Sequence, residues 1–217
     1  MQPTNTPDLP RFVIFEGIDG VGKTTLAKAL ARHYQDVAPH LPLFADAFPG
    51  SRPGTLGEWV YRLHHGRATD APDVQTLDPM ALQFLHIAAH VDVMRTHILP
   101  ALRDPAGGAV ILDRFWWSTY AYSRHAMPRE LVLAMVEAER MLWRTVLSPT
   151  IIYLTRDSSL KPAEIDPAQY HALAGYYAEV VALERAAGQH IHIIENNGSL
   201  DDVWVRLLAV LKERDAS

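Results

Sequence analysis

The stretch that most constrains this chain is Gly17-Ile-Asp-Gly-Val-Gly-Lys-Thr24. It fits the spacing G-x-x-x-x-G-K-[ST]. Its flanks matter as much as the match. Phe12 to Phe15 is a short apolar run of β-formers that reads as a buried strand. Leu26, Ala27, Leu30, Ala31 and Tyr34 then recur at helical spacing. Strand, glycine-rich turn and helix follow in the order a phosphate-binding loop needs. Gly17, Gly20 and Gly22 let the backbone curl so that successive N–H groups converge on phosphate oxygens. The helix starting near Lys23 aims the positive end of its dipole at the same place. In such a loop Lys23 reaches the β- and γ-phosphates, and the Thr24 hydroxyl ligates Mg²⁺. The competing reading, a glycine turn with a chance lysine, leaves the flanking strand and helix unexplained.

The rest of the chain supplies a sheet for that loop. Apolar runs at Phe12–Phe15, Leu43–Phe48, Ala109–Leu112, Ile151–Leu154 and Ile191–Ile194 alternate with helical stretches. This alternation predicts an α/β fold, a five-stranded parallel sheet covered by helices on both faces. Several helix ends are punctuated. Asp78-Pro79 is an N-cap with proline at the first helical position, and the helix it starts is expected to end near Leu99, before Pro100. Met127-Pro128 and Asp166-Pro167 open two more helices, Gly188 closes the second of these, and Ser199 or Asp201 begins the last. The polar segment 156–166 between the fourth strand and a helix reads as a short, mobile lid.

Composition narrows the partners. With 217 residues, 48% apolar and 21% charged, one domain with a full core is the simplest reading, here over 11–217. Residues 1–10, polar with three prolines, read as a flexible tail without signal-peptide layout. A net charge of −5 gives no bulk case for nucleic acid or an anionic membrane, and no apolar stretch reaches spanning length. The absence of cysteine removes disulfides and thiolate metal sites and fits a reducing compartment. The expectation is a soluble cytoplasmic protein.

A second chemical feature ends the third strand, Val110-Ile-Leu-Asp113-Arg114. An acidic group at a strand C-terminus can hold Mg²⁺ directly or through water, and an adjacent arginine can pair with phosphate. The alternative is a strand-terminating aspartate in a local salt bridge.

At this point the chain resembles a known family. Phe15-Glu-Gly-Ile-Asp-Gly-Val-Gly-Lys-Thr-Thr25 looks like the phosphate loop of thymidylate kinases, and Asp113-Arg-Phe-Trp-Trp-Ser-Thr-Tyr-Ala-Tyr122 resembles that family's second signature. Phe48-Pro-Gly-Ser-Arg52, Pro149–Leu154 and Ile194–Ser199 are similar to further family segments, so the likeness runs from Arg11 to about Leu211. The resemblance implies a three-layer P-loop NTPase fold with a short lid, ATP and Mg²⁺ as cofactors, and nucleotides as partners. It also implies a homodimer built through packed helices. By position, the ATP site would comprise Gly17, Asp19, Gly20, Val21, Gly22, Lys23, Thr24 and Thr25, with Arg156 near the adenine or the phosphates and Asn197 bordering the adenine. Thr24 and Asp113 would organise Mg²⁺. Phe48 would border the acceptor, Arg52 and Arg114 would grip its monophosphate, Asp19 would approach the sugar 3′-hydroxyl, and Tyr122 would pack near C2′. Phe84 would stack on the base. Lys23, Arg114, Asp113, Arg156 and Lys161 would carry catalysis. Phosphoryl transfer needs alignment and charge neutralisation more than covalent help, and no catalytic triad is required.

The chain also departs from the family pattern. The base-reading arginine one turn after Phe84 is Ala88 here; His86 and His90 stand nearby and either can read a base edge. The usual glutamine after Ala-aromatic is Ser123, and Val21 occupies a loop position where some members carry arginine. The lid offers only Arg156 and Lys161 as basic groups. Other readings stay open for single residues: His86 and His90 as a metal pair or as satisfied histidines, His64 and His65 at a helix end, and Trp116 and Trp117 as pocket, subunit face or core. Phe84 could be plain core and Arg52 a solvated loop residue. The leading expectation is transfer of the ATP γ-phosphate to dTMP. Behind it stand another deoxynucleoside monophosphate, then a deoxynucleoside, then a nucleotide sensor without transfer.

Overall fold

The computed structural model describes residues 9–65, 76–104, 107–145, 148–163 and 165–212. Five strands, β1 (Phe12–Glu16), β2 (Leu43–Ala47), β3 (Ala109–Asp113), β4 (Thr150–Thr155) and β5 (Ile191–Glu195), pair in parallel in the order β2-β3-β1-β4-β5. β1 and β3 are buried along their whole length, because helices cover both sheet faces, which is why they read as continuous apolar runs. Register decides what shares the C-terminal edge. Phe15 pairs with Asp113 and Glu16 with Tyr153, so the turn after β1 emerges between the ends of β3 and β4. Open parallel sheets bind ligands at that edge.

The helices are α1 (Lys23–Val37), α2 (Leu56–His64), α3 (Pro79–Val93), α4 (Leu99–Arg103), α5 (Trp116–Arg124), α6 (Arg129–Trp143), α7 (Pro167–Ala186) and α8 (Leu200–Lys212). Asp78 and Asp166 cap α3 and α7 through their side chains, and Gly188, at φ 86°, terminates α7. One expected end is corrected. The chain does not leave the helix before Pro100: Met94–Ile98 forms a π-turn in which the Leu99 N–H bonds back to the Met94 carbonyl. The shifted ladder puts Pro100 in the first turn of α4, where a missing N–H costs nothing.

Trp116 and Trp117 are buried at 1% and 0% exposure in the main core, so of the three roles open to them they take the core. Of the residues expected to form a tail, 1–8 lie outside the described residues. Leu9 packs on the core, and the Pro10 carbonyl accepts a 2.6 Å hydrogen bond from the Tyr34 hydroxyl. Among the described residues no helix is long and apolar enough to cross a membrane.

Candidate active site

The loop after β1 is built as its glycines demand. Gly22 stands at the N-cap of α1 with φ 98°, a left-handed conformation that side chains resist, and the Asn196 amide lies where a Cβ would fall. α1 therefore starts at Lys23 with its N–H groups facing the loop. Lys23 is 4% exposed and donates to the Ile18 carbonyl at 2.8 Å. Burial and the Arg114 guanidinium push it down to about 8, against the pull of Asp19, Asp113 and Glu16.

β3 delivers the second half of the site. The Thr24 hydroxyl donates to Asp113 Oδ2 at 2.5 Å, while Asp113 Oδ1 is buried without a partner. A hydroxyl, a carboxylate and one unused buried carboxylate oxygen form a hard-oxygen donor set suited to Mg²⁺. Arg114 holds φ 85° and donates to Asp19 and, at 3.0 Å, to Ser118 Oγ. Burial lowers the guanidinium pKa, but Asp19 and neighbouring acidic groups outweigh it and the net direction is up. Burial raises the Asp19 carboxyl, and Arg114 and Lys23 more than reverse that, so its pKa is lowered. Tyr122 closes the group with a 2.6 Å bond from its hydroxyl to Asp19 Oδ2.

Sequence reasoning missed Glu16. Its fully buried carboxylate accepts from the backbone N–H of Phe115 at 2.7 Å and of Ser118 at 3.0 Å, and from the hydroxyls of Ser118 and Tyr177. α5 has no side-chain cap of its own, so Glu16 reaches across from β1 to supply one. Burial nevertheless raises its pKa, opposed by Arg114 and Lys23. The signal available in the sequence was a glutamate ending an otherwise apolar strand.

Two cavities meet at this group. A smaller one of about 170 Å³ is lined by Gly20, Gly22, Lys23, Thr24, Thr25 and Lys161 together with Asp19, Asp113 and Arg114. A larger one of about 640 Å³ is lined by Phe48, His64, Gln83, His86, His90 and Tyr122, again with Asp19 and Arg114. The segment 156–163 lies on the loop: the Ser159 hydroxyl donates to the Asp19 carbonyl at 3.2 Å, and the Leu160 N–H to the Gly20 carbonyl at 2.9 Å. At the far side Arg156 donates to the Asn196 carbonyl, the Asn196 amide to the Val21 carbonyl at 2.8 Å, and the Asp157 N–H to Asn197 Oδ1 at 3.1 Å. Arg156 and Asn197 thus stand together at the ends of β4 and β5, beside the glycine loop.

Three anticipated residues lie elsewhere. Phe84 is 50% exposed and lines neither cavity; it is not core either. Its helix α3 is apolar nearly all round, and the face turned to the cavity is that of Gln83, His86 and His90. Arg52 is drawn to Asp46 at 2.8 Å and over the Phe44 ring, outside the larger cavity. Ser123 is buried with its hydroxyl unpartnered and lines neither cavity. Among the described residues no group of three or more histidine, cysteine or carboxylate ligands gathers, so His86 and His90 gain no third ligand.

A five-stranded parallel sheet, a glycine-rich loop at its centre with Lys23 and Thr24, and an aspartate at the end of the adjoining strand define the class of P-loop nucleotide-binding proteins. The thymidylate kinase family model matches residues 15–162. Thymidylate kinase from Caldanaerobacter subterraneus is 32% identical over 155 residues, 70% of this chain and 67% of that protein. The Wolbachia pipientis enzyme of the same name, from the Culex pipiens strain, is 32% identical over 122 residues, 56% of this chain and 54% of its own length. The crystal structure of thymidylate kinase from Ehrlichia chaffeensis shares the fold, with a TM-score of 0.69 at 23% identity over 93% of this chain and 98% of that one. The chain belongs to the thymidylate kinase family. The chain spans about half the length of most of the other curated thymidylate kinases it matches.

Proposed function

We propose that this protein is an ATP-dependent deoxynucleoside monophosphate kinase that moves the γ-phosphate of ATP to dTMP. One observation carries the reading. Asp19 and Arg114 line both the phosphate-loop cavity and the larger cavity beside it. A phosphate held by the loop and a phosphate held by Arg114 from the other side would therefore face each other across a shared wall.

In this reading the loop amides and Lys23 hold the ATP phosphates, and Lys161 adds charge from the lid. Thr24 and Asp113 would hold Mg²⁺, which neutralises phosphate charge when bound. Arg114 orients the acceptor monophosphate, whose oxygen is already a nucleophile near neutral pH, so no side chain has to take a proton. Alignment and charge neutralisation then supply most of the acceleration. Arg52 sits on Asp46, so Arg114 carries the acceptor phosphate alone in this arrangement. Tyr122, bonded to Asp19, would stand against the sugar. Arg156 and Asn197 would border the adenine. A homodimer belongs to the same reading, supported by the exposed Met80 and Phe84 on α3 and Leu131 and Met141 on α6. So does a cytoplasmic site of action, which the cysteine-free sequence fits.

The test is ADP release from Mg-ATP with dTMP as acceptor, with Lys23→Ala as control. Turnover is expected, and the substitution should lower it by about a hundredfold or more. ATP binding without transfer to any monophosphate would overturn the reading in favour of a nucleotide sensor.

A further inference from the structure

We infer that Asp19 is an internal stand-in for the acceptor phosphate: its carboxylate occupies Arg114 in the free protein, and the incoming phosphate has to displace it. The inference rests on the kinase reading above and adds a residue that sets what the acceptor site admits. Arg114 Nη2 donates to Asp19 Oδ1, and Nη1 donates to Ser118 Oγ at 3.0 Å. Both terminal nitrogens of the fork are therefore engaged before any ligand arrives. A phosphate gripped bidentately needs two N–H groups of that fork aimed at two of its oxygens. Ser118 is tied in turn to the buried Glu16 carboxylate, so the Nη1 contact is part of the fold. The Nη2 contact is with a half-exposed side chain on a loop, and this is the contact that can yield.

The surroundings make Asp19 both a good mimic and a displaceable one. Burial raises its carboxyl pKa, but Arg114 and Lys23 outweigh burial and the net direction is down, so it stands as an anion. It lines the wall shared by the two cavities, where the kinase reading puts the acceptor phosphate. Its other oxygen, Oδ2, accepts from the Tyr122 hydroxyl at 2.6 Å, and Lys23 Nζ lies 4.0 Å from Oδ1. A carboxylate that leaves Arg114 keeps these two partners, so displacement does not strand an unpaired charge.

The consequence is a filter on charge. A site that is open only part of the time binds its ligand more weakly by that fraction, so a carboxylate in place about nine-tenths of the time costs an incoming phosphate about tenfold in affinity. A phosphate monoester carries about −1.5 to −2 near pH 7, against the single charge of Asp19, and prevails on Arg114. A carboxylate or a phosphodiester, singly charged, has no such advantage.

The experiment measures what the phosphate adds to binding: the dissociation constants of dTMP and of thymidine, by titration calorimetry with Mg-ADP present. Both ligands carry the same sugar and base, so whatever Asp19 contributes to those parts cancels in their ratio. Asp19→Asn should enlarge the advantage of dTMP over thymidine by about tenfold or more. Combined with Arg114→Gln, the same substitution should give no such gain. A smaller gain, or one that persists without the guanidinium, would overturn the inference and spare the kinase reading. A second readout needs no variant and separates direct contact from bulk charge. In ¹⁵N spectra of the free protein the two Arg114 Nη2 hydrogens should exchange places slowly, because Asp19 holds that nitrogen; fast exchange there would also overturn the inference. Equal affinity for dTMP and thymidine in every protein, with transfer to no monophosphate, would remove the kinase reading and the inference with it.

Discussion

Ser118 gives the Glu16 carboxylate two hydrogen bonds, one from its backbone N–H at 3.0 Å and one from its hydroxyl at 2.9 Å. The same hydroxyl accepts from Arg114 at 3.0 Å. Glu16 thus holds the start of α5 and, through Ser118, the guanidinium that faces both cavities. Glu16→Ala should leave several buried donors unpaired and cost on the order of 3 kcal/mol, read as a lower midpoint in urea unfolding. Glu16→Gln keeps the shape but turns an amino group toward donors, and should raise the acceptor KM more than the ATP KM. Equal effects on both substrates would reduce Glu16 to a purely structural role.

Arg114 separates backbone from side chain. Its φ of 85° is strained for any residue with a Cβ. Arg114→Gly should therefore be more stable than Arg114→Ala by roughly 1 kcal/mol, although both lose the guanidinium. Both should weaken the acceptor far more than ATP. Calorimetric unfolding of the two variants tests the first claim and initial-rate kinetics the second.

Gly20 bears on the segment expected to act as a lid. A Cβ there would lie 1.9 Å from Ser159 Oγ, at a φ of +79°. Gly20→Ala should unseat the segment 156–163, and the Leu160 amide, now bonded to the Gly20 carbonyl, should lose its protection against hydrogen exchange. Ser159→Gly in the same chain should restore part of that protection. Unchanged exchange at Leu160 in Gly20→Ala would mean that the contact does not hold the lid.

Lys23 should make nucleotide binding pH-dependent. Its pKa of about 8 in the free protein leaves it about half protonated near that pH, and a bound polyphosphate favours the charged form. Binding of Mg-ATP near pH 8 to 9 should then take up protons, more than near pH 6.5, where Lys23 is already charged. Titration calorimetry in buffers of different ionisation enthalpy reads this directly, and Lys23→Met should abolish it. For stability the sign is also set. A lysine whose folded pKa is depressed binds fewer protons when folded, so its unfavourable contribution fades as pH rises through about 8 toward its ordinary value.

The features read correctly from sequence are those that short-range physics encodes. The five apolar runs are all strands; the inner ones, β1, β3 and β4, are buried because helices cover both faces, while the edge strands β2 and β5 are only partly buried, and the glycine loop is recognisable because its φ angles and its lysine lie within a few consecutive residues. α3 marks the limit. It is apolar nearly all round, so its periodicity could not tell which face meets the cavity, and Phe84 and His86 were indistinguishable as candidates. Arg52 was read from its loop alone, without Asp46 and Phe44, which hold it.

By itself the sequence determined the class of protein: a parallel α/β sheet, a phosphate loop at Gly17–Thr24, and an acidic strand end at Asp113. Each is a local pattern whose geometry follows from a few neighbouring residues. Only the tertiary structure decided that Glu16 caps a helix 99 residues away, that Asp19 and Arg114 serve two cavities at once, and that His64 meets His86 across 22 residues of chain. Those relationships depend on sheet register and helix rotation, which are fixed by packing of the whole core and leave no trace in the spacing of adjacent residues.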